Sequence, residues 1–179
     1  MAELTNAEAA LLGLLSEQAR YPYQIEQEVK YRDMRFWTEL SMSAIYKVLR
    51  KLEKEGLVSS NNEISAENRL RKLYEISETG KIALKEKIKK LLSEPEHIRW
   101  QFDIGIYNAD LLPKAQVRES LGKYRTVLEE NIKGYNDLLK FLQDSGYPAH
   151  RLTIAKRPVY LLRAEMAWAE DYLAGRGEY

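Results

Sequence analysis

The chain contains no cysteine, which excludes disulfide bridges, thiolate zinc sites and cysteine nucleophiles. Histidine is also scarce: His97 and His150 are the only two and lack metal-ligand spacing, so we expect no zinc and no cofactor. No apolar run approaches the roughly 20 residues that cross a bilayer. The first residues, Met-Ala-Glu-Leu-Thr, lack the basic and apolar regions of a signal peptide. We therefore expect a cytoplasmic protein.

A strong net charge is absent as well. The 28 basic and 27 acidic side chains leave a formal charge of +1, so any affinity for nucleic acid has to come from a local patch. Residues 1–93 hold 16 basic and 14 acidic residues, against 12 and 13 in residues 94–179. With 45% hydrophobic and 31% charged residues, the 179-residue chain has the composition of a folded protein with one or two domains.

Catalytic signatures are missing too. The sequence has no glycine-rich phosphate loop, no nucleophile elbow and no pair of residues arranged for acid–base catalysis. Adjacent acids such as Glu129 and Glu130 point to different sides of a helix and are typical of a solvated surface. We predict that the protein is not an enzyme.

The most informative segment that is present covers residues 42–58. Apolar side chains recur at helical spacing on one face: Met42, Ile45, Val48, Leu49 and Leu52. The opposite face carries hydroxyls and cations: Ser43, Tyr46, Lys47, Arg50 and Lys54. Gly56 can end the helix in a left-handed conformation, and Leu57-Val58 begins an extended segment. Such a basic helix before a strand is typical of the reading helix of a winged helix-turn-helix, which favours DNA as the partner.

Two further helices are predicted ahead of the reading helix. Thr5-Asn6-Ala7-Glu8 fits a capping box, and the leucines after it predict a buried helix. Pro22 suits the first turn of a second helix that extends to about Tyr31. We expect an aromatic plug of Phe36, Trp37 and Leu40 before the third helix, with Ser41 or Ser43 as its N-cap.

Two strands and a closing helix follow the reading helix. Leu57 to Ile64 and Arg69 to Ile76 are predicted strands, joined by a polar turn. Ser77-Glu78-Thr79-Gly80 then begins a fourth helix. Three helices, a hairpin and a closing helix would complete a winged-helix domain by about residue 93.

The remaining residues predict a helical hairpin. After Pro113, a heptad pattern with one polar member steps by four and three: Val117, Leu121, Tyr124, Leu128, Asn131, Tyr135, Leu138 and Leu142. A break at Ser145-Gly146-Tyr147-Pro148 precedes a similar pattern, in which Pro158 either kinks the last helix or begins it. One hairpin leaves apolar surface uncovered, so we expect it to dimerise. Asn131 could fix the register of that dimer or equally face water.

Several strings within residues 4–92 resemble the PadR family of transcriptional regulators. The opening Leu4-Thr5 with Leu11-Leu12-Gly13-Leu14-Leu15, the third helix Ser43-Ala44-Ile45-Tyr46 and the wing strand Arg71-Lys72-Leu73-Tyr74 are similar to that family. Two positions depart from its pattern, since Lys47 stands for a proline and Pro22-Tyr23 for Gly-Tyr. More loosely, the helical tail resembles the longer subgroup named for phenolic acid repressors. The resemblance implies a dimeric DNA-binding regulator.

Candidate DNA contacts lie first on the third helix. Lys47, Arg50 and Lys54 could reach guanine edges or phosphates, and Ser43 and Tyr46 suit phosphate oxygens. The alternative is an ordinary solvated helix face, with Tyr46 packed in the core.

A second group of candidates lies on the wing. Arg69, Arg71 and Lys72 follow the hairpin tip and could lie along the phosphate backbone or enter the minor groove. Charges that protect an edge strand from aggregation are the alternative explanation. Thr5 and Tyr23, at helix starts, could donate to phosphates, although capping and packing explain them as well.

Aromatic side chains in the second half suit a flat aromatic effector, and we select Trp100, Tyr107, Tyr124 and Trp168 as candidates. For each one, the hydrophobic core or a dimer interface is the alternative. Release of DNA by such a ligand follows from the resemblance alone.

Together these observations predict a mainly α protein with a small β-hairpin. Residues 1–93 would form a winged-helix DNA-binding domain, and residues 94–179 an antiparallel helical hairpin for dimerisation that also holds an effector. The predicted function is a transcriptional repressor that binds a pseudo-palindromic operator in double-stranded DNA as a homodimer and is released by a small aromatic ligand. The alternative is a protein-interaction adapter without a DNA target, which the near-zero net charge keeps open.

Overall fold

The computed structural model describes residues 3–38, 40–64 and 70–175. The chain divides into two compact units, Met1–His97 and Ile98–Tyr179. Among the described residues, no helix is long and apolar enough to cross a membrane, and no group of acidic or histidine side chains could hold a metal ion.

Three helices open the first unit: α1 (Asn6–Glu17), α2 (Pro22–Tyr31) and α3 (Met42–Lys54), with a short 3-10 turn at Met34–Phe36. The capping box of α1 is present, because the Thr5 hydroxyl accepts from the Glu8 amide and the Glu8 carboxylate accepts from the Thr5 amide. Ser41, not Ser43, caps α3, and its hydroxyl accepts from the Ala44 amide at 3.2 Å. Local chemistry therefore sets the starts of these helices.

The wing is an antiparallel hairpin of β1 (Val58–Ile64) and β2 (Leu70–Ile76), in which Val58 faces Ile76 and Ile64 faces Leu70. A one-residue bridge adds a third segment, since Arg20 and Tyr74 exchange amide-to-carbonyl hydrogen bonds of 3.0 Å. The bridge fixes the connection between α1 and α2 against β2. This arrangement confirms the predicted winged helix-turn-helix.

The turn after α3 and the start of α4 (Glu78–Ser93) pack together closely. Gly56 ends α3 with a φ of +70°, and the Ser77 hydroxyl donates to its carbonyl at 2.7 Å. A Cβ on Gly80 would lie 2.0 Å from the Leu57 carbonyl oxygen, so only glycine fits there. These contacts close the domain behind the wing.

The core of the first unit is built from α1, α2, α3 and the inner face of the wing. Its fully buried large side chains are Leu11, Leu12, Leu15, Ile25, Val29, Leu40, Ile45, Leu49 and Leu52. The predicted aromatic plug before α3 is wrong for Trp37, which is 48% exposed, while Met34 and Leu40 fill the core there. The side chain of Phe36 lies outside the described residues.

The second unit contains α5 (Gln101–Tyr107), a 3-10 turn (Ala109–Leu111) and the hairpin of α6 (Lys114–Asp144) and α7 (Ala149–Leu173). Gly146, with a φ of +70°, turns the chain between the two long helices. Pro158 lies inside α7, so the helix begins before the proline. Asn131 is exposed, whereas Ile132 beside it is half-buried, so Asn131 does not lie on the buried face of α6 as the heptad pattern predicted.

Candidate nucleic-acid interface

A cleft of about 860 Å³ opens between α2, α3 and β2. The start of α2 contributes Tyr21, Tyr23, Gln24 and Gln27; α3 contributes Tyr46 and Arg50; and β2 contributes Leu70, Arg71, Lys72 and Tyr74. The cleft thus combines cations with hydroxyl and amide donors. Such a mixture matches the acceptor-rich phosphate backbone of nucleic acid.

The polar face of α3 is accessible as predicted. Ser43, Lys47, Arg50 and Lys54 are exposed, because Ile45, Leu49 and Leu52 on the other side of the helix fill the core. Met42, predicted on the same apolar stripe, is 37% exposed at the first turn. Tyr46 is 42% exposed and lines the cleft, which excludes the alternative that it packs in the core. The amino end of α3 carries two hydroxyls, with the oxygens of Ser41 and Ser43 3.0 Å apart.

The wing cations differ in their surroundings. Arg71 lines the cleft, while Arg69 lies outside the described residues. The ammonium of Lys72 is 2.6 Å from the Glu53 carboxylate on α3. Hydrogen bonds from Lys72 and then Ser60 lower the pKa of Glu53, and the hydrogen bond to Glu53 raises the pKa of Lys72. Lys72 is therefore an ion-pair partner of the reading helix.

The two predicted phosphate contacts at helix starts, Tyr23 and Thr5, have different surroundings. Tyr23 is 62% exposed at the cleft, and its hydroxyl accepts from the Gln27 amide at 3.0 Å. Thr5 caps α1 and is not among the residues that line the cleft. Its partner Glu8 is buried and accepts from Lys51 at 2.6 Å. Burial favours a higher pKa for Glu8, but the hydrogen bonds from Lys51 and Thr5 outweigh it and the pKa is lowered.

Sequence reasoning missed one contact at the edge of the cleft. The Tyr21 hydroxyl donates to the Glu63 carboxylate on β1, and this hydrogen bond raises the pKa of Tyr21. Glu63 stands opposite Arg71 in the strand register, so an acid lies next to the basic wing. The partners are 42 positions apart, and no local pattern indicates such a pair.

The predicted effector residues fall into two groups in the second unit. Tyr124 and Trp168 both contact Phe102, with ring centroids 4.3 Å and 5.5 Å from it, and Tyr172 extends the cluster. The Tyr124 hydroxyl donates to Glu165 at 3.2 Å. Burial, followed by Glu165, raises the pKa of Tyr124 to about 12. Trp100 and Tyr107 are 56% and 87% exposed and remain surface residues.

A helix-turn-helix with a basic reading helix, a wing and a polar cleft between them defines the class of winged-helix transcriptional regulators. Residues 11–86 match the family described as "Transcriptional regulator PadR-like family". Residues 11–86 therefore form a PadR-like domain, and the resemblance drawn from the sequence strings is confirmed.

The comparisons extend beyond the matched domain. The chain is 24% identical over 173 residues to the "Negative transcriptional regulator PadR" of Bacillus subtilis, covering 92% of this chain and 94% of that protein. The structure of Bacillus subtilis PadR with operator DNA has a TM-score of 0.74 at 20% identity, over 93% of this chain and 97% of that one. The structure of the same protein with p-coumaric acid has a TM-score of 0.75 at 20% identity, over 96% and 97%. These likenesses establish the fold over both units.

Proposed function

We propose that the protein is a dimeric repressor that binds operator DNA through its winged helices and is released by a small aromatic ligand. The observation that carries this proposal is the cleft, where Arg50 of α3 and Arg71 of β2 line one opening together with tyrosine hydroxyls. The similarity to a protein named as a negative regulator, and to a structure that contains operator DNA, supports the same function.

In this proposal α3 enters the major groove, where its side chains reach base edges. Lys47, Arg50 and Lys54 contact bases or phosphates, while Ser43, Tyr46 and Tyr23 donate to phosphate oxygens. Arg69 and Arg71 follow the backbone from the wing. Thr5 has a capping role, because it lies outside the cleft.

Dimerisation has a structural basis in α6. Besides the seam that packs on α7, this helix carries a second stripe at heptad spacing: Val127, Asn131, Gly134, Leu138 and Phe141. Val127 and Phe141 are each 50% exposed, so the hairpin leaves this stripe largely uncovered. A second copy would cover it and would place Asn131 where a polar residue can select the register. A two-fold dimer matches a pseudo-palindromic operator.

The effector step is proposed on the aromatic cluster around Phe102. A planar ligand can stack on such rings, and a Bacillus subtilis relative has been crystallised with p-coumaric acid. A ligand that binds one arrangement of the dimer better than another shifts the population away from the DNA-binding arrangement. This function requires no catalysis, and the protein would act in the cytoplasm, where the DNA is.

The proposal is tested by binding of the purified protein to DNA upstream of its own gene, across a salt series and against unrelated DNA. We expect specific binding that weakens steeply with salt, because bound cations replace counterions on the phosphates. Arg50→Ala and Arg71→Ala should each weaken binding by about tenfold or more. p-Coumaric acid serves as the ligand probe and should weaken binding of the wild type.

One control variant and one contrary outcome make this experiment decisive. Lys123→Ala removes a cation from α6 that pairs with Glu119 and is not among the residues lining the cleft, and it should leave DNA binding unchanged. If the upstream DNA binds no more tightly than competitor DNA and neither arginine variant has an effect, the adapter without a DNA target becomes the better explanation.

A further inference from the structure

One carboxylate joins the reading helix to both strands of the wing. Glu53, near the end of α3, accepts a hydrogen bond from the Ser60 hydroxyl on β1 and from the Lys72 ammonium on β2, the latter at 2.6 Å. The Glu53 side chain is 30% exposed and that of Lys72 is 40% exposed, so the pair is partly shielded from solvent. Partial burial strengthens such an ion pair relative to one in open water.

A second contact holds Lys72 in the same position. Its ammonium lies 5.3 Å from the ring centroid of Tyr74, which belongs to the buried face of β2. Lys72 and Tyr74 share that face because side chains alternate along a strand. To bind a phosphate, Lys72 would have to leave both Glu53 and this ring, and Glu53 would then stand uncompensated beside the DNA.

We propose that Glu53 and Lys72 are positioning residues, which set the angle of the wing to α3 and so direct Arg50 and Arg71 at the same stretch of DNA. Lys72 does not itself bind phosphate. A two-stranded hairpin is only marginally stable alone, and its angle therefore depends on side-chain contacts with the rest of the domain. The inference rests on the proposed function, since it concerns how the wing meets DNA.

The direction in which Glu53→Gln changes the DNA affinity distinguishes a positioning role of Lys72 from a phosphate contact. If Lys72 binds phosphate, Glu53 competes with the DNA for it, and Glu53→Gln should strengthen DNA binding. If the pair positions the wing, Glu53→Gln should weaken binding by about threefold, the size expected for loss of a partly exposed ion pair. Glu55→Gln is the matched control, because it removes the same charge at the C-cap of the same helix, where Glu55 pairs with Lys51 of α3.

The salt dependence gives an independent measure. A cation that binds phosphate contributes about 0.9 to the slope of log affinity against log salt concentration. The double variant Glu53→Gln with Lys72→Met removes one negative and one positive charge, so the net charge is unchanged. We expect it to bind DNA more weakly than the wild type but with the same salt slope. Arg71→Ala, in contrast, should reduce the slope by about one.

All variants are measured well below their unfolding temperatures, which thermal unfolding by circular dichroism provides. Tighter binding by Glu53→Gln than by Glu55→Gln, or a reduced slope in the double variant, would overturn the inference. A Glu53→Gln variant with lower thermal stability but unchanged DNA affinity would also overturn it, because the pair would then have only a structural role. If Arg50→Ala and Arg71→Ala also leave binding unchanged, the proposed function fails instead of this inference alone.

Discussion

The two units of this protein bury apolar surface to very different extents. In the described part of the first unit, eighteen hydrophobic residues form one buried cluster. In the described part of the second unit only six are buried: Leu121, Leu128, Leu152, Ala155, Val159 and Ala169. Among the described residues each unit exposes eleven large hydrophobic side chains, so the second unit exposes nearly twice as many as it buries, whereas the first buries more than it exposes. The winged helix therefore completes its core within one chain, whereas the helical hairpin leaves much of its apolar surface exposed, as the proposed dimer requires.

The largest effect is expected in the core of the first unit. Leu49 is fully buried on α3, and Leu49→Ala should lower the free energy of unfolding by about 2–5 kcal/mol through lost apolar contact and the cavity that remains. Urea unfolding of the full chain measures it. Lys54→Ala, on the exposed face of the same helix, is the control and should change stability by less than about 0.5 kcal/mol. A small effect of Leu49→Ala would remove the contrast between the units.

The next effect concerns the uncovered stripe of the second unit. Phe141→Glu and Val127→Glu place a charge in the proposed interface, and each should convert dimer to monomer at micromolar concentration because a buried charge without a partner is costly. Light scattering coupled to size-exclusion chromatography measures the mass. Tyr160→Glu on α7 is the control, since Tyr160 is 74% exposed and lies outside the stripe. Persistence of the dimer in both stripe variants would place the interface elsewhere.

A smaller effect is expected from pH. Burial and Glu165 raise the pKa of Tyr124 from 10.0 to about 12, so the folded state holds the phenol proton more tightly than the unfolded state. The stabilisation is complete below pH 10 and is lost as the pH rises towards about 12, because the unfolded chain then gains by releasing its proton. Thermal unfolding between pH 9 and 11 should show this decline (a range set by about one unit on either side of the ordinary tyrosine pKa). The stability of Tyr124→Phe should decline less steeply over the same pH range. Equal declines in the two proteins would contradict the raised pKa of Tyr124.

The smallest effect concerns the acid at the wing. Glu63→Gln removes a carboxylate opposite Arg71 and should strengthen binding to unrelated DNA by about twofold, since less negative charge faces the phosphates. Anisotropy titration with a random duplex measures it. Glu75→Gln on β2 removes the same charge farther from the wing tip and serves as the control. Weaker binding by Glu63→Gln would mean that its contact with Tyr21 supports the interface.

Much of the fold could be predicted because its signals are local. The capping box at Thr5, the proline in the first turn of α2 and Gly56 after α3 act within a few residues, and the apolar stripe of α3 needs only helical periodicity. Other features depend on distant partners. Trp37 is exposed because Met34 and Leu40 fill the core, and Asn131 is exposed because Ile132 packs instead. Spacing along the sequence does not decide which of two such neighbours turns inward.

The sequence by itself determined the order of elements, the reading helix with its polar face and the resemblance of residues 11–86 to the PadR-like family. These features depend on spacings of three or four residues and on short strings. Only the tertiary structure decided which polar and charged side chains, distant in sequence, pair with one another. Lys72 pairs with Glu53 across 19 positions, Lys51 with Glu8 across 43, and Tyr21 with Glu63 across 42. Such pairs depend on how helices and strands pack, and a side chain's partner at that range is set by the fold as a whole.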